Sequence, residues 1–196
     1  MIRAMALLLL LASCGPLVKI GTSGPRADAL LTLSAEYPAP APAAARLDMA
    51  AAVAVDTPSV PGALQTLRIP VSVSDTEIRY LPVAQWSEPP ARLFQRLLAD
   101  RLQGEGLAVV DLRATGKAPG RRLSGQLLAF GVDVRGGRQA RVRYDATLAD
   151  RDGLRQRRFE ADEPLSGVDG GEVAAALNRA ANHVAGEVSA WLRETP

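Results

Sequence analysis

One histidine and one cysteine occur in 196 residues, and that scarcity excludes whole classes of chemistry. A metal centre built on imidazole or thiolate needs several such ligands. Only carboxylates remain, and no run has the spacing of a calcium-binding loop. A single cysteine allows no intrachain disulfide. The histidine, His183, lies in a helical segment between Asn182 and Val184. It reads as a boundary residue, because acid–base or nucleophilic catalysis needs partners that the sequence does not nominate. No G-x-x-x-x-G-K-[ST] loop is present to cradle a nucleotide. The only lysines are Lys19 and Lys117, and net charge is +2. That balance argues against nucleic acid as the main partner. No apolar run approaches the roughly 20 residues that a membrane-spanning helix requires. These absences together predict a protein that is not an enzyme and carries no cofactor.

What is present begins at the N-terminus. Arg3 precedes an apolar run from Ala4 to Leu11, followed by Leu11-Ala12-Ser13-Cys14. A basic start, a short apolar stretch and small residues mark a secretory signal. A cysteine directly after them resembles a bacterial lipobox. In that reading residues 1–13 are the signal peptide and Cys14 becomes the mature N-terminus, its thiol carrying a diacylglyceryl group. The alternatives are an uncleaved anchor or a buried segment with a stray cysteine. Residues 14–28 hold Gly, Pro, Ser and Thr without apolar period and read as a lipidated flexible tether. The remainder, 29–196, is long enough for one domain.

Within that domain Ala29 to Ala35 reads as a first strand. Pro38, Pro40 and Pro42 make Glu36 to Ala45 an extended surface loop. Met49 to Val55 fits strand or helix, and Asp56-Thr57-Pro58 favours a strand ending in a turn. Leu67 to Val73 carries Pro70, which predicts an edge strand. Ile78 to Val83 is another strand. A helix follows Ser87-Glu88-Pro89-Pro90, with Ser87 as its expected cap. Its apolar stripe is Leu93, Phe94, Leu97, Leu98 and Leu102, and Gly104 and Gly106 end it. Leu107 to Leu112 reads as a short central strand. Leu123 to Val134, Gln139 to Leu148 and Leu154 to Ala161 are separated by the turns Arg135-Gly136-Gly137-Arg138 and Asp150-Arg151-Asp152-Gly153, which predicts a meander. Its inward set is expected to be Leu123, Leu127 and Ala129, facing Val142, Tyr144, Ala146 and Leu148. Asp169 and Glu172 then form a capping box before a long helix. Its buried face is Val173, Leu177, Ala180, Ala181, Val184, Val188, Trp191 and Leu192. The sum is a single α+β domain, a mostly antiparallel sheet with two long helices on one face. Trp86 and Trp191 are expected core anchors.

Arg141, Arg143, Arg155, Arg157 and Arg158 flank the Gly153 turn. Arg141 and Arg143 share a strand face, and pairing could bring Arg155 or Arg157 beside them. They are a candidate patch for lipid headgroups or an acidic partner. The competing reading is a solvated face balanced by Asp145, Asp150, Asp152, Glu160, Asp162 and Glu163.

Several segments resemble the ABC-type transport auxiliary lipoprotein family, the PqiC-like proteins. They are the lipobox, Leu30-Leu31-Thr32-Leu33, and Thr57 through Ile69 with its Leu67-Arg68. They continue with Ile78-Arg79-Tyr80-Leu81 and then Trp86-Ser87-Glu88-Pro89-Pro90 with its leucine-striped helix. A strand ending near Phe159 and a helix closing on Trp191-Leu192 complete the set. Their order and spacing cover most of the mature chain. The Pro/Ala-rich stretch Pro38 to Ala45 carries no family signature. The resemblance implies a non-catalytic lipoprotein subunit of an ABC system. Its implied partner is an MCE-type substrate-binding protein, and its implied role is lipid movement between inner and outer membranes. Gly15 rather than Asp follows Cys14, which by the enterobacterial sorting rule points to the periplasmic side of the outer membrane. A homo-oligomer stays open. The alternative function is a structural lipoprotein that assists outer-membrane β-barrel or envelope assembly.

Overall fold

A computed structural model describes residues 29–39, 47–112, 116 and 118–194. Chain order gives β1 (Ala29–Leu31), β2 (Val53–Val55), a 3-10 turn (Gly62–Leu64), β3 (Arg68–Ser72) and β4 (Ile78–Trp86). Then come α1 (Pro90–Gly104), β5 (Arg121–Asp133), β6 (Gln139–Asp150), β7 (Gly153–Pro164) and α2 (Gly170–Glu194). The strands form one sheet in the order β1-β4-β3-β5-β6-β7, with β2 also on β5. The long ladders β5–β6 and β6–β7 are antiparallel. The short ones, β1–β4, β2–β5 and β3–β5, are parallel. The fold is α+β, as the alternation of apolar residues and the two helical stripes predict.

Both helices cover one face. Phe94 of α1 packs edge-on against Tyr144 of β6, with centroids 5.2 Å apart. Trp191 of α2 lies 5.6 Å from Phe159 of β7. All five residues of the α1 stripe and all eight of the α2 stripe are buried. The face they share with Leu123, Leu127, Val142, Ala146 and Leu148 is the single core. Trp86 is fully buried against Phe130, at 5.3 Å.

Four local expectations need correction. Ala129 does not face the core. Leu127 pairs with Tyr144 and Ala129 with Arg143, so Leu128 is an extra residue in β5. Such a bulge flips strand parity beyond it, and Phe130 and Val132 point inward instead. Secondly, β3 is not an edge, because it lies between β4 and β5. Pro70 is accommodated by an irregularity between Arg68 and Pro70 against β4, and pairing with β5 begins only at Val71. Gly131 makes this possible, since a Cβ there would stand 2.4 Å from the Pro70 carbonyl oxygen.

Thirdly, Leu107 to Leu112 is not a strand. It makes one bridge, in which Val53 N–H donates to Ala108 O (2.8 Å) and Val110 N–H to Val53 O (3.0 Å). Only a three-residue β2 is there to pair with it. Fourthly, Ser87 does not cap α1. Its N–H donates to Leu31 O (2.8 Å), and Pro89 is the cap without a side-chain bond. Missing proline donors leave less for a cap to satisfy. At α2, Asp169 Oδ1 does accept from the N–H groups of Gly171 (2.9 Å) and Glu172 (3.2 Å). Glu172 turns instead to the preceding loop, accepting from Ser166 N–H (2.7 Å) and Oγ (2.7 Å).

Candidate functional site

The helix-free face of the sheet carries most of the organised charge. The β6–β7 register sets Arg141 opposite Asp162, Arg143 opposite Glu160, and Asp145 opposite Arg158. Each pair is bidentate. Arg141 donates to Asp162 at 2.7 and 2.9 Å, Arg143 to Glu160 at 2.9 and 2.7 Å, and Arg158 to Asp145 at 2.6 and 2.6 Å. Forked geometry makes these stronger than monodentate pairs, while exposure keeps each contribution small.

Of the arginines in the candidate patch, Arg141 and Arg143 therefore stand with Arg158 in a ladder of alternating sign. Arg155 and Arg157 do not join them. They oppose Leu148 and Ala146, on the helix side. Arg155 pairs with Asp150. Arg157 stands over the Phe159 ring at 5.3 Å and 4.0 Å from Glu194.

Asp133 anchors one end of this face. It is buried, and it accepts from Arg135 N–H and Nε (both 3.0 Å), Arg135 Nη2 (2.6 Å) and Arg141 Nη1 (2.8 Å). These bonds, those from Arg135 foremost, hold its pKa down at about 2. The same bonds push the Arg135 guanidinium further toward its charged form. Next to Asp133 a groove of about 310 Å³ runs between the 3-10 turn and β5. Its walls include Pro61, Pro70, Ile78, Ala129 and Gly131, with Arg143 at the rim. A more polar cleft of about 670 Å³ separates α1 from β2 and includes Arg92, Gln95 and Arg122. There Gln95 bridges, donating to Val55 O (2.8 Å) and accepting from Thr57 Oγ1 (2.8 Å).

His183 is exposed on α2, and its Nε2 is 3.8 Å from Glu187 Oε1. Among the described residues no group of three or more His, Cys, Asp or Glu could hold a metal ion. Among them, too, no helix is long and apolar enough to cross a membrane. Cys14 and Gly15 lie outside the described residues.

A strap leading away from β1 is a feature that residue patterns did not disclose. Asn178 and Asn182, one turn apart on α2, bind residues 34–36. Asn178 Oδ1 accepts from Ser34 N–H (2.8 Å), and Asn182 Oδ1 accepts from Glu36 N–H (2.7 Å). Asn182 Nδ2 donates to Ser34 O (2.9 Å). The strap continues over α1, where Arg101 stands 4.4 Å from the Tyr37 ring and pairs with Glu36 at 3.3 Å. Gly104 lets it pass, because a Cβ there would lie 2.3 Å from Tyr37 O. A buried asparagine inside an apolar helical stripe was the available signal, since buried polar groups need partners.

Comparison with known proteins places this geometry. Residues 31–189 match the model of the ABC-type transport auxiliary lipoprotein component. Among solved structures, protein XCC0632 from Xanthomonas campestris, of the DUF330 family, superimposes with a TM-score of 0.69 at 22% identity, covering 83% of this chain and 93% of that one. An uncharacterized protein superimposes with a TM-score of 0.61 at 17% identity, covering 86% and 100%. At these identities the structural likeness shows a shared fold. Comparison with curated proteins finds no match. The family match spans the domain from β1 to the last turns of α2, and the chain belongs to the ABC-type transport auxiliary lipoprotein component family.

Proposed function

We propose that this chain is a lipid-anchored, non-catalytic adaptor of an MCE-type ABC system that moves lipids between the inner and outer membranes. The observation that carries the reading is the family match over residues 31–189, in a chain that opens with Leu11-Ala12-Ser13-Cys14. In this reading Cys14 bears the lipid, and the protein faces the periplasm from the outer membrane. Fully extended, the residues between Cys14 and Ala29 reach at most roughly 50 Å, so the domain works close to its anchoring membrane. In this reading a pull from the anchor enters the domain at β1, which pairs with β4, and the strap held by Asn178 and Asn182 ties the chain just beyond β1 to α2. An adaptor needs a stiff body with recognition surfaces and no reaction centre. The neutralised arginine ladder and the two open clefts suit that role.

Affinity capture with the mature lipoprotein tests the proposal. Recovery of an MCE-type subunit supports it. Recovery of a β-barrel assembly component in its place, or hydrolysis of phospholipid by the purified protein, overturns it.

A further inference from the structure

Exposed apolar side chains from three elements meet at the corner where the described chain begins. β1 opens at Ala29, which pairs with Ala84 of β4. Leu30, the next residue, is 66% exposed. Residues 81–84 of β4 stand against Ile69 alone in β3, because Tyr80 pairs with Pro70 and Gln85 with Arg68. Extra residues bend a strand, and Pro82 among them is exposed. α2 starts against the same point, since a Cβ on Gly170 would stand 2.9 Å from Ala84 Cβ. Val168, just before that start, is 48% exposed. Ala84 is thus a buried centre around which Leu30, Pro82 and Val168 reach the surface.

A cation borders them. Gln85 lies between Leu30 and Arg68 across three strands. Arg68 stands over the Tyr80 ring at 4.5 Å and has no carboxylate partner among the described residues. The acids that follow Val168 are occupied. Asp169 accepts from the N–H groups of Gly171 and Glu172, and Glu172 accepts from Ser166.

We propose that this corner rests on the phospholipid surface of the anchoring membrane, with Leu30, Pro82 and Val168 in the interfacial layer and Arg68 at lipid phosphate. The inference rests on Cys14 bearing the lipid. The occupant follows from where the described chain begins. At most roughly 50 Å of extended chain separates Cys14 from Ala29, and Ala29 belongs to this corner. Exposed apolar groups rimmed by polar ones mark protein or membrane contacts. Apolar groups beside a cation suit the boundary between headgroups and acyl chains. So small a surface does not hold a protein by itself. A covalent anchor makes the contact intramolecular, and a weak surface then suffices.

The contact also orients the domain. β7 is at the far end of the strand order from β1, roughly 24 Å away at about 4.8 Å per strand. β6 has 12 residues and leads into β7 through the turn that holds Arg151. That turn is roughly 35–40 Å along the strand from the other end of β6. At that other end Arg138 O accepts from Leu165 N–H, on the loop toward Val168. Arg151 is therefore diagonally opposite the corner and points away from the membrane.

Fluorescence quenching tests this on the full lipoprotein, reconstituted in vesicles of phosphatidylethanolamine and phosphatidylglycerol. With Cys14 lipidated, V168C and R151C each offer one thiol for an environment-sensitive fluorophore. Flotation with the vesicles reports the anchor, and quenching by lipids brominated along the acyl chain reports the contact. The label at 168 should shift to the blue and lose emission to the quencher, and the label at 151 should do neither. Leu30→Asp in the V168C protein should restore the emission. Leu154→Asp, at a side chain 74% exposed beside the distal turn, should not. Circular dichroism checks that both variants fold. Labels at 168 and 151 that behave alike, or a quenched label at 168 indifferent to a folded Leu30→Asp, overturn the proposal while the anchor stands. Unquenched labels on floating protein overturn it in favour of a protein partner at this corner. Protein that does not float overturns the anchor and this contact with it.

Discussion

Tyr144 and Phe159 sit opposite each other across β6 and β7, and each supports one helix. Phe94 of α1 rests on Tyr144, and Trp191 of α2 rests on Phe159. The Tyr144 hydroxyl leaves the apolar cluster to donate to Ser124 O at 2.9 Å, and burial pushes its pKa up. This one cross-strand pair joins both helices to the meander.

Truncating either contact should therefore be severe. Phe94→Ala and Trp191→Ala each remove a large buried ring, which costs about 3–5 kcal/mol. Whole-domain stability is typically about 5–15 kcal/mol. Urea unfolding should show both midpoints well below wild type. A variant with an unchanged midpoint would place that ring outside the core.

The helices and the meander were legible because their apolar residues repeat at 3.6 and 2 residues. Leu93 through Leu102 and Val173 through Leu192 needed no tertiary information. Neither did the turns at Gly136-Gly137 and Asp152-Gly153. What stayed hidden depends on long-range partners. Ala129 follows the strand alternation, and only pairing with Arg143 exposes the bulge at Leu128. Pro70 has the local chemistry of an edge, and the glycine that admits it to the interior, Gly131, is 61 positions away in sequence. The arginine grouping failed for the same reason. Arg158 shares a face with Arg141 and Arg143 because of register, which composition does not encode.

Asp133 should make stability sensitive to acid. Its ordinary pKa of 3.8 falls to about 2 in the fold. A lowered carboxylate pKa contributes stability that is complete above the unfolded value and is lost as pH falls through the folded one. The loss thus runs from near pH 4 down to about pH 2, with a size on the order of 2 kcal/mol. Asp133→Asn should be less stable than wild type at pH 7, and the gap should close toward pH 2. A gap that is constant with pH would show that Asp133 acts by packing alone.

Asn182→Ala should release the strap. It removes the acceptor for Glu36 N–H and the donor to Ser34 O, and leaving such groups unpaired costs about 1–3 kcal/mol. Hydrogen exchange at residues 34–36 should accelerate more than exchange in the centre of α2. Uniform acceleration across α2 would mean that the asparagine supports the helix rather than the strap.

The proposed anchor and the proposed non-catalytic role can be tested in one genetic experiment. Each buried methylene contributes about 0.8 kcal/mol to membrane attachment, so acyl chains on Cys14 would hold the protein firmly. Cys14→Ala should lose lipid labelling and membrane retention. It should also fail to complement a deletion strain in an assay of envelope barrier function, such as bile-salt sensitivity. His183→Gln replaces an exposed side chain whose nearest acid is 3.8 Å away. Surface changes of that kind are usually within about 0.5 kcal/mol, and the variant should complement as well as wild type. Failure of a folded His183→Gln protein would reopen the case for catalysis. Full activity of Cys14→Ala would show that the domain works without its tether to the membrane.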